Sequence, residues 1–298
     1  MKTIDLSGDI LSAYTGNQFD LEKWKNYMDR FLPGAKELCL ADMRETIDAG
    51  YSWEKDYLPV LDAVAQDPEK LEKAVLSFRR VTEKLDERIM ERFGRSVDAE
   101  LVLYLGLCNG AGWVTPVDGK PSVLLGIEKI LELDWTDTNA MTGLIFHELG
   151  HVYQEQYGVL RRELAPLPDQ LLWQLFTEGV AMVFEQEIAG SPEYFHQYSA
   201  DWKRWCDANA ALILQSFRDD LPHMTHENQR YFGDWVSFHG HSDTGYYLGA
   251  RFVRFLLRED SFDRIILYGI WEVRDGFDRF SVTRCGENTV QDGQTVIL

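Results

Sequence analysis

The feature that most constrains this chain is Phe146-His147-Glu148-Leu149-Gly150-His151, set among Met141, Leu144, Ile145 and Val152. At helical period this segment is apolar nearly all round, and a helix of that kind belongs in a core. Two histidines and a glutamate buried there without partners would be costly. A metal ion removes that cost. Positions i and i+4 lie on one helix face, one turn apart. His147 and His151 can therefore offer both imidazoles to one ion, and zinc is the metal that such a pair suits best. Glu148 sits about 100° further round the helix, beside the ion rather than on it, where its carboxylate can take a proton from a water molecule.

A catalytic zinc needs a third protein ligand and keeps one position open. No histidine stands six residues past His151, where Tyr157 is found. The best candidate is Glu178, in Leu175-Phe176-Thr177-Glu178-Gly179-Val180-Ala181, after 26 intervening residues. That gap lets the chain stop at Gly158, turn, and return beside the first helix, and the apolar flanks send this carboxylate inward. Glu163, Asp169 and Glu185 are weaker rivals on turns or more polar stretches. Glu155 is one turn too far along the axis.

The rest of the chain sets the context. Its 298 residues are 45% apolar, enough for a substantial core, and no stretch approaches the roughly 20 apolar residues of a membrane span. The acids within the first ten residues exclude a signal peptide, and the four scattered cysteines (Cys39, Cys108, Cys206, Cys285) form no CxxC pair. Both point to a cytoplasmic protein with reduced thiols. A net charge of −19 repels phosphate backbones, so nucleic acid is not an expected partner, nor is a membrane.

Hydrophobic periodicity predicts helices over 20–32 and 36–49, then one long helix opened by Asp67-Pro68 and closed at Gly94. Strands are expected at 99–105 and 122–127, separated by a Gly-, Asn- and Pro-rich loop over 108–121. The metal helix follows, with cap residues at 134–137 and an end near Tyr157. Further helices are expected from Pro168 to about Gly190, from Ser191-Pro192 to about Phe217, at 245–257 and at 262–273. The expected organisation is a helical region over 1–95, a catalytic domain over 96–275 and a polar tail over 276–298. The fold class is α+β, mostly α.

The segment around His147–His151, followed by Thr177-Glu178-Gly179-Val180-Ala181, resembles the gluzincins, zinc peptidases whose third ligand is a glutamate on the following helix. The longer gap is similar to that in a less characterised group of predicted zinc-dependent proteases, and the resemblance covers about residues 98 to 258. It implies a zincin-like core, with a small sheet packed on the metal helix and further helices C-terminal to it. It implies His147, His151 and Glu178 as Zn2+ ligands and Glu148 as general base in peptide-bond hydrolysis. The strand holding Val123, Leu124, Leu125 and Gly126 would be the edge on which an extended peptide or protein substrate lies. Gly245-Tyr246-Tyr247-Leu248-Gly249 is similar to a Y-x-x-G segment whose tyrosine stabilises the oxyanion, which selects Tyr246; Tyr247, His239 and His241 are alternatives.

Two departures stand out. Met182 replaces an aspartate that orients a histidine ligand in thermolysin-like members, so support for the ligands must come from elsewhere, with Thr177 a candidate. Asn109-Gly110-Ala111-Gly112-Trp113 lacks the carboxylate that anchors a substrate amino terminus in the aminopeptidases. The second favours an endopeptidase or oligopeptidase over an aminopeptidase. The other readings open to such a site are a binding protein stabilised by a metal, without catalysis, and a zinc hydrolase of a non-peptide amide.

Overall fold

The computed structural model describes residues 1–164, 166–195, 199–233 and 235–291, without the side chains of residues 200 and 283–291, so the Cys285 thiol lies outside the described residues. The fold is mostly helical with one small mixed sheet. Two compact units divide at Val152/Tyr153, inside a helix, and each is described by itself.

The first unit is built on four strands. β1 (Lys2–Asp5) is followed by the short hairpin β2 (Tyr14–Thr15) and β3 (Gln18–Phe19), then by β4 (Glu100–Tyr104), β5 (Trp113–Val117) and β6 (Lys120–Gly126). The sheet order is β1-β4-β6-β5, with β1, β4 and β6 parallel and β5 antiparallel to β6. Leu101, Val102, Leu103, Val123, Leu124 and Leu125 are all buried, as central parallel strands covered on both faces require. β5 was expected to be loop. Its hairpin is closed by Asp118 and Gly119, both at positive φ (50° and 76°), the geometry that favours a tight Asp-Gly connection.

The expected helical region over 1–95 is not separate from this sheet. β1 pairs with β4 in register Ile4↔Val102, so the extreme N-terminus supplies a strand, and no boundary of the compact units falls near residue 95. Six helices accompany the sheet: α1 (Leu21–Phe31), α2 (Pro33–Asp48), α3 (Leu58–Gln66), α4 (Pro68–Thr82), α5 (Leu85–Phe93) and α6 (Ile127–Glu132). The long helix expected up to Gly94 is broken at Glu83-Lys84, where Lys84 adopts φ 59°. α1 is tied to the end of β4: the Trp24 indole donates to the Leu105 carbonyl (2.9 Å), and the Leu105 amide donates to the Tyr27 hydroxyl (3.3 Å).

α7 (Thr138–Tyr157) spans the division between the units. Asp137 caps it, accepting from the Asn139 and Ala140 amides at 2.7 and 3.0 Å. Met141, Leu144, Ile145, Phe146, Leu149 and Val152 are buried on all sides, as its composition predicted. It ends where Gly158 meets the chain again: a Cβ there would lie 2.3 Å from the Ile266 carbonyl oxygen.

The named elements among the second unit's described residues are helices: α8 (Leu167–Ala189), α9 (Ala200–Ala208), α10 (Ala210–Asp220), α11 (Thr244–Leu256), α12 (Phe262–Ile265) and α13 (Ile270–Gln291). The reversal between α7 and α8 is stapled by side chains. Gln154 donates to the Val159 carbonyl (2.9 Å), Trp173 to that of Leu160 (2.7 Å) and Gln170 to that of Leu164 (2.8 Å). The helix expected from Ser191 to Phe217 begins later, at Ala200 behind the cap Ser199, and breaks at Asn209. The expected tail is also corrected. α13 continues through 276–291, and Phe277 and Phe280 are buried against Phe252; residues 292–298 lie outside the described residues. No helix among the described residues is long and apolar enough to cross a membrane.

Candidate metal centre

Helical geometry brings His147 and His151 onto one face of α7, with ring centroids 4.9 Å apart and planes at 86°. His147 is buried; His151 is half-buried. The ligand atoms of His147, His151 and Glu178 all lie within 4.8 Å of one another, the one group of this kind among the described residues. Two nitrogens and one carboxylate oxygen are the donor set of a catalytic zinc with an open fourth position. Ligand atoms on a tetrahedral zinc stand roughly 3.5 Å apart, so the group is of a size that could hold one ion. These residues fit a divalent ion of zinc's preferences.

Glu163, Asp169 and Glu185 do not join the group. Asp169 is instead an ion-pair partner of Arg274. Glu185 is fully buried, two turns beyond Glu178 on α8. The pair His223 and His226 forms no metal group among the described residues; His226 lies 3.5 Å from the Gln170 side chain.

Glu148 packs against the chain that leads into β5. A Cβ on Gly112 would lie 2.5 Å from its Oε1, so a larger residue there would displace the Glu148 side chain. The strand expected as the substrate edge is not an edge. β6 lies between β4 and β5: Leu124 pairs with Val102 on one side and Trp113 on the other, and Val123, Leu124 and Leu125 are fully buried. With Val123, Leu124, Leu125 and Gly126 in a strand paired on both sides, β6 has no free edge for a peptide. The edge beside Glu148 belongs to β5, a strand hidden in a stretch whose Gly and Pro content reads as loop. Pro116, which lacks an N–H, suits an edge position.

No protein-family model, no curated protein and no solved structure matches this chain.

The oxyanion candidates are separated by their neighbours. Tyr247 donates its hydroxyl to Asp207 (2.9 Å), within a network where Arg251 grips Glu193 through two nitrogens and Lys203 bridges Glu193 and Asp207. Hydrogen bonding from Arg251, followed by Lys203, holds the Glu193 carboxyl down at about 2. His241 lies flat on Trp205, with centroids 4.0 Å apart, and His239 is exposed in a turn. Tyr246 is half-buried, its ring edge-on to Phe232. It stands one turn before Gly249, which packs on Gly179, the neighbour of Glu178. The Thr177 hydroxyl bonds the Gln174 carbonyl of its own helix (3.2 Å), and Met182 is fully buried.

Sequence reasoning passed over Glu128 and Gly112. Glu128 is fully buried, with apolar residues at 127, 130 and 131 as its only sequence signal. Gly112 stood out only as part of a segment lacking a carboxylate, not for its approach to Glu148.

Proposed function

We propose that this protein is a zinc-dependent peptidase with a zincin-like core of the gluzincin kind. The observation that carries this reading is the convergence of His147, His151 and Glu178 within 4.8 Å, with Glu148 next in sequence to the first ligand. A bound zinc supplies Lewis acidity, polarising a carbonyl oxygen and making a water molecule easier to deprotonate. The rest of the chemistry belongs to the chain. Glu148 accepts the proton of the attacking water and returns it to the leaving amine. Tyr246 donates a hydrogen bond to the oxygen on which negative charge develops. An extended substrate adds to the free edge of β5, with Gly112-Trp113 bringing its backbone to Glu148. The absence of a carboxylate in the Asn109–Trp113 segment leaves nothing there to hold a free amino terminus, which favours cleavage within peptides.

Elemental analysis of the purified protein, paired with digestion of a mixed peptide library, tests this reading. About one equivalent of zinc and cleavage that disappears in Glu148→Gln are expected. A protein that holds zinc but is as inert as Glu148→Gln across the library would instead be a binding protein stabilised by its metal.

A further inference from the structure

Glu128 is a fully buried carboxylate outside the metal group, on the first turn of α6. Each of its oxygens takes one backbone amide from the β4–β5 loop: Gly106 N donates to Oε2 (2.8 Å) and Cys108 N to Oε1 (3.0 Å). The loop is shaped around it. A Cβ on Gly106 would lie 2.5 Å from Oε1, and one on Gly126 would lie 3.0 Å from the same oxygen and 2.6 Å from the Gly110 carbonyl. Cys108 adopts φ 58° to aim its amide inward, and the Ala111 carbonyl accepts from Gly126 N (3.1 Å). The next residue is Gly112, in contact range of the Glu148 carboxylate.

We propose that Glu128 is a positioning residue for Glu148: in its ionised form it clamps the Gly106 and Cys108 amides and so holds the loop in the path that lays Gly112 against the general base. This rests on the reading of Glu148 as general base.

An ionised carboxylate accepts strongly with both oxygens at once. A proton on either oxygen makes that oxygen an O–H donor and a much poorer acceptor, so one of the two amide bonds is weakened. Burial pushes the Glu128 carboxyl up to about 7, against the backbone bonds from its own amide, Gly106 and Cys108 that favour the charge. The titratable groups around it are Tyr104 on β4, Cys39 on α2, Tyr27 on α1, Tyr14 on β2 and Cys108 on the loop. Burial raises all of these, so they stay neutral near pH 7. Lys129, on its own helix, favours the charged form. The clamp therefore opens and closes around neutrality, with Glu128 as the group that titrates.

Hydrogen exchange read by mass spectrometry on the full, zinc-loaded chain tests this between pH 5 and 9, after correction for intrinsic exchange rates. In wild type, protection of the peptide spanning 106–108 should fall as pH drops below 7, by up to about tenfold per unit. In Glu128→Gln, whose amide nitrogen faces an amide donor at every pH, it should be low and flat, with α7 equally protected in both. Protection in wild type that does not depend on pH overturns the proposal, even if Glu128→Gln does not fold. So does a folded Glu128→Gln that matches wild type. A second arm compares pH–rate profiles on a peptide substrate: the acid limb should flatten in Glu128→Gln, and identical profiles would show that the clamp does not act on Glu148. If no peptide is cleaved, the peptidase reading fails and the exchange result still decides the clamp.

Discussion

Gly179 and Gly249 meet back to back where α8 and α11 pack. A Cβ on Gly179 would lie 2.3 Å from the Gly249 carbonyl oxygen, and one on Gly249 would lie 2.6 Å from the Leu175 carbonyl oxygen. Both obstacles are backbone, which cannot swing aside. The two glycines belong to the two segments, Glu178-Gly179 and Tyr246-x-x-Gly249, that carry the proposed ligand and oxyanion donor. Their contact fixes the register between those side chains.

Alanine at either position should destabilise the protein despite its better helix propensity. The propensity gain is about 1 kcal/mol, whereas forcing a methyl into a packed backbone contact costs typically 1–3 kcal/mol. A net loss of up to about 2 kcal/mol in urea melts is expected, with weaker zinc binding because Glu178 is adjacent. An unchanged or raised midpoint would mean that the helices separate freely.

Replacing Glu148 by Gln should leave zinc content and circular dichroism unchanged while peptide hydrolysis falls by at least about 10²–10⁴-fold, the usual range for a general base. Retention of wild-type turnover would remove Glu148 from the mechanism.

Glu178→Gln should weaken zinc binding by more than the roughly 10–100-fold that loss of a ligand's outer partner costs. Glu163→Gln serves as the control that keeps full affinity. Glu185 is a poor control, because it is fully buried and its substitution tests the core. Equilibrium competition with a chelator reads both. Full affinity in Glu178→Gln would leave the two histidines without their proposed third ligand.

Glu128 also shapes stability. Its carboxyl is raised from an ordinary 4.5 to about 7 in the fold. Between those values the folded chain holds a proton that the unfolded chain has released, so stability falls as pH rises across this window and levels off above it. The loss from this group is about 3 kcal/mol in total. Denaturant melts from pH 4 to 8 should show wild type losing stability relative to Glu128→Gln across that range. Parallel curves would mean that Glu128 ionises at its ordinary value.

Local chemistry alone determined a good part of this protein. The buried helix over 138–157, its cap at Asp137, its stop at Gly158 and the shared face of His147 and His151 all follow from periodicity and from residues within a few positions of one another. The return of Glu178 was legible too, since a turn followed by a helix with an apolar acid-bearing segment leaves few alternatives. Tertiary structure decided what depends on partners distant in sequence. The resemblance implied an edge at β6, and nothing in its own residues tells whether a neighbour pairs on one side or both; β5 and β4 do so. β1 became a sheet strand through a partner about a hundred residues away. Glu128, which reads as one acid of an amphipathic turn, is enclosed because two glycines and two loop amides fold around it. Periodicity reports which face of an element is apolar, whereas pairing, close approach and desolvation are properties of what that face meets.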